Sequence, residues 1–174
     1  MTVPPGYGLR PIAPELVLVG AAVAALAVHL FAGRRGRRAA GWVALAGIAV
    51  SGAILALTPP SADALFGGHF AADPFALFVK GVILAAAALS IVLAFRFFDV
   101  EGGEPGEAYA LVLLATVGMM AAVSAVDIVT TYVAFELFAI ASYILAGIFK
   151  KDRRSAEAGI KYFFLGTLSS AVML

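Results

Sequence analysis

The sequence predicts an all-α, polytopic membrane protein, a bundle of about six transmembrane helices. Three observations predict it. The chain is 63% hydrophobic and 13% charged, with mean hydropathy +1.01 over 174 residues, whereas soluble domains sit near half apolar and a quarter charged. The apolar residues form long unbroken runs rich in Ala, Leu, Val and Gly, the composition of membrane helices that pack closely. The short segments of alternating apolar and polar residues that build a membrane β-barrel are absent.

Six segments carry this character, at residues 14–31, 40–57, 73–98, 107–126, 127–149 and from 156 onward. Gly33-Arg-Arg-Gly-Arg-Arg38 separates the first two segments. Thr58-Pro-Pro-Ser-Ala-Asp63 stops the second, and Gly67-Gly68 marks a loop. Asp73-Pro74 reads as an N-cap followed by proline at the first helical position. Gly102-Gly-Glu-Pro-Gly106 ends the linker before the fourth segment. The turn at Ala125-Val126-Asp127 is tight, with Asp127 as N-cap of the fifth helix. Lys150-Lys-Asp-Arg-Arg154 forms a basic loop, and Ser155-Ala-Glu157 opens the sixth. That segment is still apolar at Ser169-Ser-Ala-Val-Met-Leu174, so the chain reads as the N-terminal portion of a longer protein or as a truncated product.

Lysine and arginine set the expected topology. Arg34, Arg35, Arg37, Arg38, Arg96, Lys150, Lys151, Arg153 and Arg154 fall on one side; the other holds Arg10 with Asp63, Asp73 and Asp127. The N-terminus is therefore expected outside, with the basic loops 33–39 and 150–155 in the cytoplasm. No basic n-region precedes the first apolar run, as a cleaved signal peptide would need. Each basic cluster borders a membrane segment, so anionic lipid headgroups are the simplest partner and a nucleic-acid role is not expected. The chain has no cysteine, which excludes cysteine-ligated iron–sulfur clusters, c-type haem attachment and disulfides. His29 reads as interfacial, close to the Arg34–Arg38 cluster, and His69 as a loop residue.

Three ionisable residues stand inside the apolar segments. Glu136 lies about 13 Å beyond Asp127 at about 1.5 Å per residue, near the midplane of a hydrocarbon core roughly 30 Å thick. A carboxylate there costs at least about 2.5 kcal/mol on insertion scales and marks an ion or proton pathway by default. The bland alternative is a neutral carboxyl hydrogen-bonded to a serine or threonine on a neighbouring helix. Helical spacing puts Tyr132, Ile140 and Tyr143 on the Glu136 face. Lys161 enters the sixth segment by about a turn, where it either snorkels to headgroups or carries protons. Lys80 is expected to snorkel or to pair with Asp73 or Asp127.

Three stretches carry a resemblance: Tyr109 to Met120 (YALVLLATVGMM), Phe135 to Gly147 (FELFAIASYILAG) and Ser155 to Ser170 (SAEAGIKYFFLGTLSS). With PELVL from Pro14 and DPFALFVK ending at Lys80, they resemble subunit N of the proton-pumping NADH–quinone oxidoreductases, respiratory complex I. The resemblance implies a partial antiporter-like inverted-repeat fold, taken from a family of about fourteen helices with two inverted repeats and broken helices at the ion sites. Residues 1–106 would be three accessory transmembrane helices, and 107–174 the first three helices of repeat one.

The resemblance also implies roles. Glu136 matches the family glutamate that tunes a lysine on the broken helix, and Lys161 matches the lysine early in the sixth helix. Lys80, Asp127, Tyr132 and Tyr143 are secondary candidates. The chain would bind no cofactor or metal; NADH, FMN, iron–sulfur clusters and quinone would belong to other subunits. Expected partners are the other membrane-arm subunits and the lipid bilayer, in a bacterial inner membrane. A multi-subunit cation/proton antiporter, a membrane-bound hydrogenase and a truncated scaffold without its own proton path are the alternatives.

Overall fold

The computed structural model describes residues 9–65, 68–101, 103 and 105–173, without the side chains of 33–35 and 61–65. Gly67, Gly102, Glu104 and Leu174, with the side chains of Arg34, Arg35 and Asp63, lie outside the described residues. The chain is helical nearly throughout: α1 (Ala13–Leu57), α2 (Pro74–Glu101), α3 (Pro105–Ser124), α4 (Ile128–Ala146) and α5 (Arg153–Met173).

A single 3-10 turn, Arg10–Ile12, leads into α1, whose first turn holds Pro14 and Glu15. Proline fits there because its ring presets a helical φ, and an acid favours the positive end of the helix dipole. Helical backbone continues from Ala13 to Leu57, yet the two ends meet: Ser51 Oγ donates to the Pro14 carbonyl at 3.0 Å. The element is thus a helical hairpin that reverses between Pro14 and Ser51, the region where a break is expected at residues 33–38. Its arms correspond to the apolar spans Arg10–Ala32 and Gly36–Leu57.

Between α1 and α2 the structure departs from the expected loop. Strands β1 (Ser61–Leu65) and β2 (Phe70–Ala72) pair antiparallel, with Ser61 opposite Ala72 and Leu65 opposite Phe70. Gly68 turns the chain at φ +105°, a conformation that favours glycine. Phe70 also bridges to Ala125, and Val126 N–H donates to the His69 carbonyl at 3.0 Å. The hairpin therefore ties the α1–α2 connection to the α3–α4 turn. Strands this short have no room for a period-two pattern, so the Pro and Gly punctuation dominates the sequence signal.

Asp73 caps α2 as expected, accepting from Ala76 N–H at 2.6 Å. Helix α3 is the centre of the bundle and packs against α1, α2 and α4. Leu18, Ala25, Ala44, Ile48, Leu84, Ile91, Leu113 and Met120 fill the core around it. At Gly118 the α3 backbone meets α4 so closely that a Cβ would lie 2.6 Å from the Phe138 nitrogen. Helix α5 packs on α4 and buries none of its residues.

The all-α membrane class holds. Among the described residues five segments are long and apolar enough to cross a membrane: the two arms of α1, then α2, α3 and α4. Helix α5 falls short because Arg153, Arg154, Glu157 and Lys161 crowd its first three turns.

Candidate intramembrane charge sites

Glu136 sits midway along α4, half-buried. The Ser170 hydroxyl from α5 donates to Glu136 Oε1. The same Oγ lies 3.2 Å from the Tyr132 hydroxyl, one turn earlier on α4. A hydroxyl has one proton and two lone pairs, so the three groups form a chain: Tyr132 to Ser170 to Glu136. Tyr143, two turns beyond Glu136, is buried against α5, with ring centroids 4.9 Å from Tyr162 and 5.9 Å from Phe163. Gly166 of α5 leaves the room Tyr143 occupies, and Gly147 and Gly159 let the two backbones touch. The face holding Tyr132, Glu136 and Tyr143 is thus the α4–α5 seam, while Ile140 is exposed.

Lys161 is not part of this group. Its side chain is 70% exposed and pairs with Glu157, one turn back on the same helix. Among the described residues no cation lies within ion-pair distance of Glu136.

Lys80 departs from expectation. It neither reaches the surface nor pairs with Asp73 or Asp127. Its side chain is fully buried, with Nζ 2.6 Å from Glu15 Oε1 and 4.7 Å from the centre of the Phe70 ring. The physical reason is that both expected partners are committed elsewhere. Asp73 caps α2. Asp127 caps α4, accepting from Val129 N–H at 3.0 Å, Thr130 N–H at 2.9 Å and the Thr130 hydroxyl at 2.6 Å. His69 Nδ1 lies 2.8 Å from its other side. The Thr130 hydroxyl first, then the Thr130 N–H and His69, hold the Asp127 carboxyl well below the usual carboxylate range.

Sequence reading missed two members of these sites. Glu15 enters the sequence analysis only within the PELVL stretch from Pro14, although a lone acid and a lone lysine in the first two turns of two apolar helices are a signal for pairing. Ser170 is one of several small residues on α5, and only the seam with α4 singles it out.

The opposite end of the bundle carries the basic loops. Two of their cations pair with protein carboxylates, Arg38 with Asp99 at 3.0 Å and Lys150 with Glu107 at 2.8 Å. The His29 ring lies against Gly106 at the start of α3. An open cleft of about 1250 Å³ runs between these groups, lined by His29, Arg37, Glu101, Phe149 and Lys151 among others. Among the described residues no three His, Asp or Glu converge as metal ligands would.

Comparison with known proteins connects these sites to a family. The family model described as "NADH:quinone oxidoreductase/Mrp antiporter, TM" matches residues 125–174. The chain is 44% identical to NADH-quinone oxidoreductase subunit N of Rhizorhabdus wittichii over 164 residues, 92% of this chain and 34% of that protein. It is 39% identical to subunit N of Erythrobacter litoralis over 174 residues, 95% of this chain and 35% of that one. It is 37% identical to NAD(P)H-quinone oxidoreductase subunit 2 of a Synechococcus species, over 92% of this chain and 31% of the other. By sequence the chain is similar to subunit N. It spans about a third of the length of these curated relatives. The region matched to the antiporter family contains Asp127, Tyr132, Glu136, Lys161 and Ser170. Glu15 and Lys80 lie outside it, in the part likened to subunit N alone.

Proposed function

We propose that the chain works in the proton-translocating membrane arm of an NADH–quinone oxidoreductase, with Glu136 as its central protonatable group. The observation that carries the reading is the setting of Glu136: a carboxyl in the middle of an apolar span, met by the Ser170 hydroxyl, which is itself in contact with Tyr132, and by no cation among the described residues. Such a group takes or gives a proton when a nearby charge changes. Moving one charge against 100 mV requires about 2.3 kcal/mol, and a shift of one pKa unit supplies about 1.4 kcal/mol, so a change of about two units suffices.

In this reading electrons pass from NADH to quinone through flavin and iron–sulfur centres in other subunits. This chain responds to them by charge rearrangement along the membrane arm, in contact with the neighbouring arm subunits. Residues 1–106 form the accessory helices and 107–174 begin the antiporter-like repeat. The basic loops face the cytoplasm of a bacterial inner membrane. Lys161, held by Glu157 on the open face of α5, relays protons towards the Glu136 seam, and Tyr132 and Tyr143 shape that seam.

The test is Glu136→Gln in the assembled complex, reading proton uptake into inverted membrane vesicles against NADH oxidation. Proton uptake per electron is expected to fall, with the rate of proton uptake lower by roughly tenfold or more, about 1.4 kcal/mol in barrier per factor of ten, and assembly intact. Normal uptake with normal assembly would point instead to a scaffold.

The description of the matched family also names the Mrp antiporter, which supports a second reading, a multi-subunit cation/proton antiporter. There the same Glu136 would serve sodium- or potassium-driven proton exchange. A cation gradient that moves protons through vesicles without NADH, and stops with Glu136→Gln, would favour it.

A further inference from the structure

The open cleft at the basic end of the bundle has no part in the reading above. It measures about 1250 Å³ and lies between α1, α2, the start of α3 and the α4–α5 connection. Its lining sits where the apolar spans end. Leu30 is near the end of the first span, Arg37 near the start of the second, Glu101 ends the third, and residues 148–152 follow the fifth. In a bilayer that level is the boundary between acyl chains and headgroups.

The lining carries two chemistries. Leu30 is 69% exposed and Phe97 47% exposed, and the Phe97 and Phe149 rings lie 5.8 Å apart, so one wall is apolar and open. The lysines, arginine and acids of the cleft balance: Arg37, Lys150 and Lys151 against Glu101, Glu107 and Asp152. Lys150 is paired with Glu107. Asp152 caps α5, accepting from the Arg154 N–H at 3.0 Å. Arg37, Lys151 and Glu101 have no ion-pair partner among the described residues. The basic loops alone suggest anionic lipid, but acids on α2 and α3 bring this cleft close to neutrality. A balanced site attracts a pure anion weakly, whereas a ligand carrying both signs gains from both.

We infer that the cleft binds one zwitterionic phospholipid, a phosphatidylethanolamine. Its phosphate meets Arg37 and Lys151, a planar fork and a point charge suited to phosphate oxygens. Its ammonium donates to the Glu101 carboxylate. Its acyl chains run along the wall of Leu30 and Phe97. Arg37 is on α1, Glu101 ends α2 and Lys151 lies between α4 and α5, so the headgroup ties three parts of the bundle together. The site needs only a membrane-helix protein and is independent of proton movement.

The test is native mass spectrometry of the full chain in detergent, titrated with dioleoyl phosphatidylethanolamine, phosphatidylglycerol and phosphatidylcholine. Phosphatidylethanolamine should bind about threefold to fivefold more tightly than phosphatidylglycerol, the scale of one exposed ion pair. Glu101→Gln should erase that preference. Arg37→Gln combined with Lys151→Gln should weaken all three lipids, because the phosphate is common to them. Arg154→Gln, in the basic loop but outside the cleft, should change none. Phosphatidylglycerol bound as tightly as phosphatidylethanolamine by the wild-type chain overturns the assignment and leaves an ordinary basic patch. A loss in Arg154→Gln equal to that in the cleft variants overturns it as well. Should Glu101→Gln fail to accumulate, the wild-type chain still decides through phosphatidylcholine, whose methylated nitrogen has no N–H to donate. Weaker binding of phosphatidylcholine supports the Glu101 contact, and equal binding overturns it.

Discussion

Glu15 and Glu136 are two carboxyls set into apolar helices under opposite conditions. Glu15 is closed into the bundle where α1, α2 and β2 meet, and its charge is answered by Lys80 within the same chain. Glu136 lies half-buried at the α4–α5 seam, and among the described residues the neutral Ser170 hydroxyl answers it, backed by Tyr132. The packing around them differs in the same sense. Helix α3, which supports the first region, buries residues along most of its length, while α5, which supports the second, buries none. A charge neutralised locally is expensive to disturb and contributes to holding helices in place. A charge left without a counter-ion is free to respond to a charge brought from elsewhere. The first region is built for persistence, the second for response.

The largest effect should come from splitting the closed pair. Lys80→Met or Glu15→Gln alone leaves a buried charge or an unmatched amide, and losing one partner of a buried pair costs about 3–5 kcal/mol. The double replacement Glu15→Leu with Lys80→Met should recover most of that, because two apolar groups need no counter-ion. Glu136→Gln should cost less than about 1 kcal/mol, since its amide oxygen still accepts from Ser170. Unfolding in detergent followed by helical circular dichroism measures all four. If Glu136→Gln unfolds as readily as Lys80→Met, the contrast between the regions fails.

A second contrast concerns the two seams of α4. A Cβ on Gly118 would meet backbone, 2.6 Å from the Phe138 nitrogen and 2.8 Å from the Ala134 oxygen. Backbone yields only if α3 and α4 move apart, so Gly118→Ala should cost about 1–3 kcal/mol. A Cβ on Gly166 would meet the phenol end of Tyr143, a side chain that can turn away. Gly166→Ala should therefore cost less than Gly118→Ala, while changing the near-ultraviolet signal of Tyr143. Equal losses would mean that the α4–α5 seam is as rigid as the core.

What the sequence made legible follows the range of the interactions. Apolar runs, the Asp73 and Asp127 caps and the helical face shared by Tyr132, Glu136 and Tyr143 depend on neighbours within a turn or two, and these could be read directly. The β-hairpin could not, because Phe70 finds its pairing across the chain with Leu65 and Ala125. The partner of Lys80 could not be read either. Asp73 and Asp127 were the obvious acids at that end, and only the competing cap hydrogen bonds show why Glu15 takes their place. For Glu136 the sequence supplied position and face but not Ser170, since a hydroxyl on α5 becomes a partner only through the angle at which α5 crosses α4.

The smallest predicted effect lies at Asp127, which separates the two regions in sequence and serves neither charge site directly. Its carboxyl is held well below the usual carboxylate range, chiefly by the Thr130 hydroxyl, then by the Thr130 N–H and His69. A group whose folded pKa is depressed adds stability above its unfolded pKa, about 3.9 for aspartate, and loses it as pH falls towards the folded value. Asp127→Asn keeps a capping oxygen but removes the charge. The melting temperature of the wild-type chain should therefore exceed that of Asp127→Asn by a constant small margin at neutral pH, and the margin should narrow once pH falls below about 4. A margin that stays constant through that range would mean Asp127 acts by hydrogen-bond geometry alone. A margin that instead tracks histidine titration would place the contribution in the contact with His69, which fastens the β-hairpin to the α3–α4 turn above the closed region.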